Sequence, residues 1–345
     1  KNTGSIFLAG PYLVKAAIGE DIDAETLGGA ITATEISGIC DYAAENDEDC
    51  LSHIRKTMDK IGAKPKAGFD RVAAKPPVLK EEEIYGIMPE EITKQYDVLD
   101  IIKRLVDDSA FDEYKPAYGK TIVCGLGRID GWSVGIVANQ RKVVKSKKGE
   151  MQLGGVIYND SADKAARFIM NCNQKRIPLV FLQDVTGFMV GSRSEHSGII
   201  KDGAKLVNAV ANSVVPKITI IVGNSYGAGN YAMCGKAYDP RFIYAWPTAK
   251  IAVMGGEQAA KTMLQIQVAT LKNKGEVITP EVEQDLLSKL IARYDSQTTP
   301  FYAGARLWID AIIDPAETRK MISEGIAAAN HNPDIAEFKT GVFQV

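Results

Sequence analysis

The chain has 345 residues, a length that suggests two domains or one large domain with an appendage. Hydrophobic residues make up 46% and charged residues 24%, a balance that excludes a disordered, collagen-like or coiled-coil protein. The formal net charge is −2, which lacks the basic excess typical of nucleic-acid-binding proteins, and no apolar run reaches the roughly 18 residues of a membrane-spanning helix.

Cysteine and histidine are sparse in this sequence. The five cysteines lack CxxC spacing and the three histidines are dispersed, so the sequence predicts neither a disulfide framework nor a metal site. Unpaired cysteines are typical of a reducing compartment, and we therefore expect a cytoplasmic protein. Because the sequence does not open with Met, we also expect it to begin inside a larger protein.

The sequence of the first part of the chain predicts two helices followed by a linker. One helix begins near Ala24 with Asp23 as its N-cap, and a second covers Glu48–Ile61, with acidic residues in its first turn and basic residues late. Residues 62–95 are polar, punctuated by proline and without a sustained hydrophobic period, which is typical of an interdomain linker. A short amphipathic helix is predicted for Asp97–Val106.

From Thr121 onward, short apolar segments alternate with amphipathic ones. Thr121–Ile129 and Trp132–Asn139 predict a β-hairpin around the Asp130-Gly131 turn. The further strands and helices are predicted at Ser161–Lys175, Ile177–Gln183, Ser197–Asn212, Lys217–Val222, Phe242–Ala245, Ile251–Met254, Gly256–Lys274, Pro280–Arg293 and Glu317–Asn330. This alternation predicts an α/β fold with a mainly parallel sheet.

Nucleotide-binding and hydrolase motifs do not account for the glycines. Gly125–Gly131 resembles GxGxxG, but it precedes a strand instead of a helix, which favours a hairpin over a dinucleotide site. The sequence contains neither a Walker A pattern nor a GxSxG nucleophile elbow.

Two other glycine-rich segments follow apolar strands, at the position where open α/β folds bind ligands. Ser225–Tyr231 opens a helix, so its first backbone N–H groups lack partners within the helix and are candidates for an oxyanion hole. Thr186–Gly191 ends the preceding strand in the same way. Each segment alone also fits a tight packing contact or an ordinary loop, whereas together they favour one shared cleft.

Three further features have two interpretations each. Asp184 follows a strand and is either a catalytic base or the cap of a turn, and His196 is either catalytic or a solvated loop residue. A basic cluster either binds phosphate or is simply solvated; it comprises Arg141, Lys142, Lys145, Lys147 and Lys148.

Longer stretches of the sequence resemble one enzyme family. The motifs that carry the resemblance are Phe7–Pro11, Leu27–Ala30, Phe111–Pro116, Ile177–Gln183, Thr186–Gly191, Gly203–Leu206 and Ala245–Ala249. Together they resemble the carboxyltransferase components of biotin-dependent carboxylases and decarboxylases over nearly the whole chain. Gly154–Tyr158 and Gly223–Gly235 most resemble the α subunits of glutaconyl-CoA decarboxylases.

The resemblance implies a fold and a domain organisation. It implies crotonase-like domains of the ClpP/crotonase class, each a superhelix of strand–strand–helix turns. Residues 1–61 would be the C-terminal part of an N-terminal domain that holds the CoA ester. Residues 62–95 would be the linker, and residues 96–345 would form the complete C-terminal domain, which accepts biotin.

The resemblance also implies an activity and partners. The distal carboxylate of glutaconyl-CoA would move to biotin on a carrier subunit and leave crotonyl-CoA, within a sodium-pumping complex whose other subunits lie in a membrane. The chain would be peripheral to that membrane and would form a homo-oligomer with active sites at subunit interfaces. One alternative is the β subunit of a methylcrotonoyl- or propionyl-CoA carboxylase, which runs the transfer in the other direction. A second alternative is a non-catalytic docking scaffold for the biotin carrier.

Site residues follow from the same resemblance. The backbone N–H groups of Ala228 and Gly229 would hold the ureido oxygen of biotin, and no metal or nucleic acid is expected. Tyr231 occupies a position that helps to set acyl selectivity in related carboxylases. The remaining residues expected to bind biotin or substrate are Gly187, Phe188, Gly191 and Gly227.

Overall fold

The computed structural model describes residues 1–62, 64–89, 94–146, 149–273 and 279–341, and for Glu257 and Lys272 it describes the backbone alone. The chain divides into two units, Lys1–Lys64 and Pro65–Val345. None of the helices within these described ranges combines the length and the apolarity needed to cross a membrane.

The smaller unit contains three α-helices among its described residues, namely α1 (Pro11–Ile18), α2 (Ala24–Gly28) and α3 (Asp47–Ile61). The side chain of Asp23 caps α2 by accepting the N–H of Thr26 at 2.9 Å, as the sequence predicts. Asn46 caps α3 in the same way through the N–H of Asp49 at 2.8 Å, so this helix begins one residue before the predicted start.

The larger unit alternates strands and helices. Its helices are α4 (Val98–Leu105), α5 (Asn159–Gln174), α6 (Ser192–His196), α7 (Ile199–Ala211), α8 (Gly227–Ala232), α9 (Gly256–Asn273), α10 (Pro280–Gln297), α11 (Pro300–Gly304) and α12 (Thr318–Ala329). Its strands are β1 (Phe111–Tyr114), β2 (Ile122–Ile129), β3 (Trp132–Asn139), β4 (Val144–Lys145), β5 (Met151–Gln152), β6 (Val156–Ile157), β7 (Leu179–Val185), β8 (Gly187–Phe188), β9 (Lys217–Tyr226), β10 (Phe242–Ala245), β11 (Lys250–Ala252) and β12 (Ala311–Ile312).

Among the described residues, eight strands form one sheet in the order β1-β2-β3-β7-β9-β10-β12, with β11 pairing to β9. The predicted hairpin is confirmed, because β2 and β3 pair antiparallel up to Ile129 opposite Trp132. The predicted parallel sheet is also confirmed, since β3, β7, β9, β10 and β12 pair parallel in that order. Every residue of β7 and of β9 is buried, as expected for central strands covered on both faces.

Helices cover both faces of the sheet, and the alternation of side chains along β7 shows how. Val180 and Leu182 pack in the core cluster that contains residues of α4 and α12. Leu179 and Phe181 point the other way and pack in the cluster that contains residues of α5 and α7. Neighbouring side chains at the end of β7 therefore reach opposite faces of the sheet.

The segment predicted as a linker contributes to the larger unit. Phe69 and Ile84 are buried in the cluster that contains α4 and α12. The side chain of Asn330 accepts the backbone N–H groups of Gly68 and Phe69 at 3.0 and 3.2 Å. These apolar anchors are too irregularly spaced to produce a hydrophobic period. Residues 63 and 90–93 of the segment lie outside the described residues, and the domain boundaries stay a prediction.

Candidate active site

The centre of the candidate site is the junction between strand β9 and helix α8. Tyr226 precedes the helix in an extended conformation (φ −115°, ψ 137°), and its side chain does not cap the helix. Gly227 then turns the chain with a φ of +51°, which favours glycine. Because the first N–H groups of a helix have no acceptor within it, those of Ala228 and Gly229 are suited to bind an anionic oxygen.

Helix α8 lies very close to the end of strand β7. A Cβ atom at Gly229 would be 2.6 Å from Cγ2 of Val185 and 3.2 Å from Cα of Gly187. The structure therefore brings the two glycine-rich segments together, as the sequence predicts. Gly229 is required for this packing, and the start of the helix supplies backbone donors at the same place.

The facing segment is built on a short parallel pairing between β6 and β8. Phe188 in β8 packs against α7, where a Cβ at Gly203 would be 2.8 Å from Cε1 of its ring. By contrast, a Cβ at Gly187 or Gly191 would meet no atom within 4 Å. The segment thus combines a fixed aromatic ring with open space beside the glycines.

Tyr231 lies on α8, within one turn of the candidate donors. Its side chain is 47% exposed, and its ring contacts Tyr238 edge-on with 5.8 Å between the ring centroids. A half-exposed ring beside the donors is compatible with contact to a substrate, and the predicted role in selectivity stays a prediction.

Asp184 caps the end of the strand pair on the face opposite to α8. The β7–β9 register shifts between Gln183 and Val185. At this irregularity, the Asp184 carboxylate accepts the N–H of Asn224 at 2.9 Å, the hydroxyl of Tyr96 at 2.9 Å and Nε of Arg141 at 3.2 Å. The geometry matches the interpretation of Asp184 as a cap, because three donors already engage its oxygens.

Burial dominates the protonation of this cluster. It raises the pKa of the Asp184 carboxyl, and the Arg141 guanidinium opposes that rise. Burial also raises the pKa of the Tyr96 hydroxyl well above its usual value, and the neighbouring carboxylate adds to the effect. Tyr96 was not predicted from the sequence, since it lies 88 residues from Asp184 and follows no motif.

A second buried network lies beneath α8, on the other face of the sheet. The hydroxyl of Ser225 donates to Oε1 of Gln183 at 2.7 Å and accepts Nδ2 of Asn230 at 2.7 Å. Nε2 of Gln183 donates to the carbonyl oxygen of Met233 at 2.7 Å. No role was predicted for these side chains, because single polar residues in apolar strands give no periodic signal.

Two of the described members of the basic cluster are paired with different carboxylates. Arg141 pairs with Asp184, and Lys142 donates to Asp97 at 2.6 Å. Burial raises the pKa of Asp97, but hydrogen bonds from Lys142 and Gln140 outweigh it and lower the pKa overall. Lys145 is exposed, and Lys147 and Lys148 lie outside the described residues.

The remaining candidates contribute little to this site. His196 is exposed at the end of α6. No group of three or more potential metal ligands of the His, Cys, Asp or Glu type occurs within the described ranges. Backbone donors and buried polar networks are therefore the chemical features that the structure places at the ends of β7 and β9.

Several known proteins are similar to this chain over nearly its whole length. The β chain of mitochondrial methylcrotonoyl-CoA carboxylase from Arabidopsis thaliana is 45% identical over an alignment of 351 residues, which covers 100% of this chain and 57% of that protein. The β subunit of geranyl-CoA carboxylase from P. aeruginosa matches with a TM-score of 0.75 and 37% identity, over 100% of this chain and 61% of that one. Transcarboxylase 12S, solved as a hexamer with hydrolysed methylmalonyl-coenzyme A bound, matches with a TM-score of 0.64 and 33% identity, over 99% and 63%.

The layered α/β architecture with glycine-rich strand ends is thus the crotonase-like fold of carboxyltransferase subunits. Residues 1–342 match the carboxyl transferase domain profile, and the chain belongs to that family. The family resemblance noted in the sequence is therefore confirmed. The chain spans little more than half the length of the curated relatives that it matches.

Proposed function

We propose that the chain carries carboxyltransferase activity in a biotin-dependent acyl-CoA carboxylase of the methylcrotonoyl-CoA type, as part of its β subunit. The observation that carries this proposal is the start of α8, where Gly229 packs against Gly187 and two backbone N–H groups lack acceptors within the helix. The Arabidopsis relative, at 45% identity, supports the substrate class.

The residues at this site fit the ureido group of biotin. Biotin, bound covalently to a partner protein, supplies the ring that carries the transferred carboxyl group and takes up negative charge on its oxygen. The N–H groups of Ala228 and Gly229 hold that oxygen, and each such donor contributes ~2.7–4 kcal/mol where it acts in the transition state. Open space at Gly187 and Gly191 gives room for a ring beside the donors.

The same geometry explains why the chemistry asks little of side chains. Negative charge develops on an oxygen atom, and fixed backbone dipoles stabilise it without a proton transfer. Phe188, held against Gly203, would form a wall of the cleft, and the half-exposed ring of Tyr231 on α8 would contact the acyl group of the CoA ester. The CoA ester itself is bound mainly by the N-terminal domain.

Assembly and organisation are part of this proposal. Residues 1–61 belong to the domain that binds the CoA ester, residues 62–95 connect the domains, and residues 96–345 accept biotin. Copies of the protein associate so that each site is completed at a subunit interface, and a biotin carrier docks there. The hexamer of transcarboxylase 12S supports association of this kind.

Glutaconyl-CoA decarboxylation is the second candidate function. It rests on the similarity of Gly154–Tyr158 and Gly223–Gly235 to those decarboxylases. The relatives compared above are two acyl-CoA carboxylases and a transcarboxylase, and they favour the carboxylase function. A sodium-pumping membrane partner and a cytoplasmic location stay predictions.

One methyl group separates the two candidate substrates, which makes a direct test possible. We would measure transfer of labelled carboxyl to free biotin by the full-length protein, from glutaconyl-CoA and from its 3-methyl derivative, the product of methylcrotonoyl-CoA carboxylation. A pocket shaped for the methyl group should favour the methylated ester roughly 10–200-fold in kcat/KM. A preference for glutaconyl-CoA would favour the decarboxylase function over the proposed one. If the protein transfers no carboxyl group from either ester or from methylmalonyl-CoA, the product of propionyl-CoA carboxylation, the result would favour the docking scaffold.

A further inference from the structure

Helix α8 has only six residues, from Gly227 to Ala232. A helix of this length is not stable by itself in water, because the free energy lost in nucleating a helix exceeds the free energy gained from one or two hydrogen-bonded turns. Its position, and the direction of its first N–H groups, must therefore come from contacts with the surrounding strands.

Gln183, Ser225 and Asn230 supply such contacts to the second half of the helix and to the residue that follows it. Asn230, within α8, donates to the Ser225 hydroxyl in β9, and that hydroxyl donates to Gln183 in β7. Gln183 then donates to the carbonyl oxygen of Met233, the residue that comes directly after the helix. Each of these hydrogen bonds measures 2.7 Å, and the side chains of Gln183 and Ser225 belong to fully buried residues.

The turn after the helix is shaped to admit this network. A Cβ atom at Gly235 would be 1.8 Å from Oδ1 of Asn230, so no other residue fits there without displacing the Asn230 side chain. The N–H of Gly235 also donates to the backbone carbonyl of Asn230 at 2.8 Å. The side chain of Asn230 thus lies between the Ser225 hydroxyl, which accepts its Nδ2, and Gly235, which packs closely against its Oδ1.

We propose that Gln183, Ser225 and Asn230 are positioning residues, which hold α8 against strand β7 so that the N–H groups of Ala228 and Gly229 point to one place. This inference rests on the proposed oxyanion hole. The hydrogen bonds of the network join α8 and the residue after it to strands β7 and β9. It fixes donors whose effect depends on geometry, since a displacement of about 1 Å costs roughly 100-fold in rate.

The test uses the full-length protein with free biotin as acceptor, and compares Ser225→Ala with wild type. We expect kcat to fall about 10–100-fold while KM for the CoA ester stays within about twofold, because the ester is held elsewhere. Asn230→Ala, at a half-buried position, should give the same loss and serves if Ser225→Ala does not fold. The double variant should lose no more than either single variant, since the network is already broken.

Thr318→Val is the matched control. It removes the buried 2.8 Å hydrogen bond from Nε1 of Trp246 to the Thr318 hydroxyl, which belongs to the opposite face of the sheet. Thr318→Val should lower the melting temperature about as much as Ser225→Ala does, and it should leave kcat unchanged. If Ser225→Ala and Asn230→Ala behave like this control, the positioning role is wrong. If wild type transfers no carboxyl group at all, the proposed function fails instead.

Discussion

The larger unit contains two glycine-rich segments that look alike in sequence, but one leads into a strand and the other into a helix. In the hairpin, a Cβ at Gly125 would be 2.4 Å from the carbonyl oxygen of Asp112, and one at Gly131 would be 2.1 Å from that of Val72. At the helix start, a Cβ at Gly229 would be 2.6 Å from Val185. Close packing therefore explains the glycines in both segments.

The difference lies in the backbone N–H groups. Strand β2 lies between β1 and β3, and pairs antiparallel with both, so its N–H groups belong to sheet ladders. The first N–H groups of α8 have no such partner within the helix. A glycine-rich segment becomes a candidate anion site only where some of its backbone N–H groups have no acceptor in a helix or sheet. Substitutions in the two segments test that distinction.

Gly227→Ala should have the largest effect of the single substitutions. The residue has a φ of +51°, and its Cβ would lie 2.7 Å from the carbonyl oxygen of Val253. The turn must then rearrange and misplace the donors of the next two residues, so we expect kcat to fall about 100-fold. Circular dichroism would confirm folding, and a folded variant with wild-type kcat would show that the turn does not set the site.

Gly131→Ala makes the matching change in the hairpin. Its φ of +80° and the contact with Val72 predict strain that costs about 1–3 kcal/mol in the free energy of unfolding. Because this segment offers no donors to a substrate, kcat per folded molecule should equal that of wild type. Denaturant unfolding and steady-state assays on the same preparation measure both quantities; a large loss of kcat here would erase the distinction between the segments.

Tyr231→Phe should have a small effect, confined to substrate choice. The ring keeps its edge contact with Tyr238, and only the hydroxyl is removed from a side chain that is 47% exposed. We expect the kcat/KM ratio between two acyl-CoA esters to change by about 10-fold or less, with biotin turnover unchanged. An unchanged ratio across straight-chain and branched esters would remove Tyr231 from the acyl pocket.

Cysteine reactivity sharpens the comparison without altering the site. Burial raises the pKa of Cys124, in β2, and of Cys234, just after α8, to about 12 in both cases. At pH 8 both thiols should resist iodoacetamide, while the exposed Cys50 reacts. Peptide mass spectrometry over time provides the measurement. If Cys234 and Cys124 are labelled equally slowly, the segment around α8 excludes the reagent as well as the hairpin does. Fast labelling of Cys234 would contradict this.

Much of the architecture could be predicted from the sequence. The Asp130-Gly131 turn and the apolar runs of β7 and β9 carry strong local signals, and the start of α8 is indicated by the glycines after β9. The family motifs extended this to the crotonase-like fold. Helix α1 was not predicted, because the Gly10-Pro11 pair is typical of a turn. Proline also fits the first position of a helix, and Pro11 occupies that position in α1.

The polar networks around the site could not be predicted in the same way. Asp184 meets Tyr96 across 88 positions of sequence, and Ser225 meets Gln183 across 42. Such pairs depend on which segments become neighbours in the fold, and no local pattern encodes that. The burial of Phe69 and Ile84, within the segment predicted as a linker, could not be predicted for a similar reason, since isolated apolar anchors give no periodicity.

The most direct test of the oxyanion hole replaces the peptide N–H of Gly229 with an ester oxygen, by incorporating glycolic acid at this position in the full-length protein. The change adds no Cβ, so the contact with Val185 is kept, whereas Gly229→Pro would disturb it. With free biotin as acceptor, we predict a kcat lowered about 10²–10³-fold and an unchanged KM for the CoA ester. The same ester at Gly127 should lower only the free energy of unfolding, by about 1 kcal/mol. A Gly229 ester that retains the kcat of wild type would contradict the assignment.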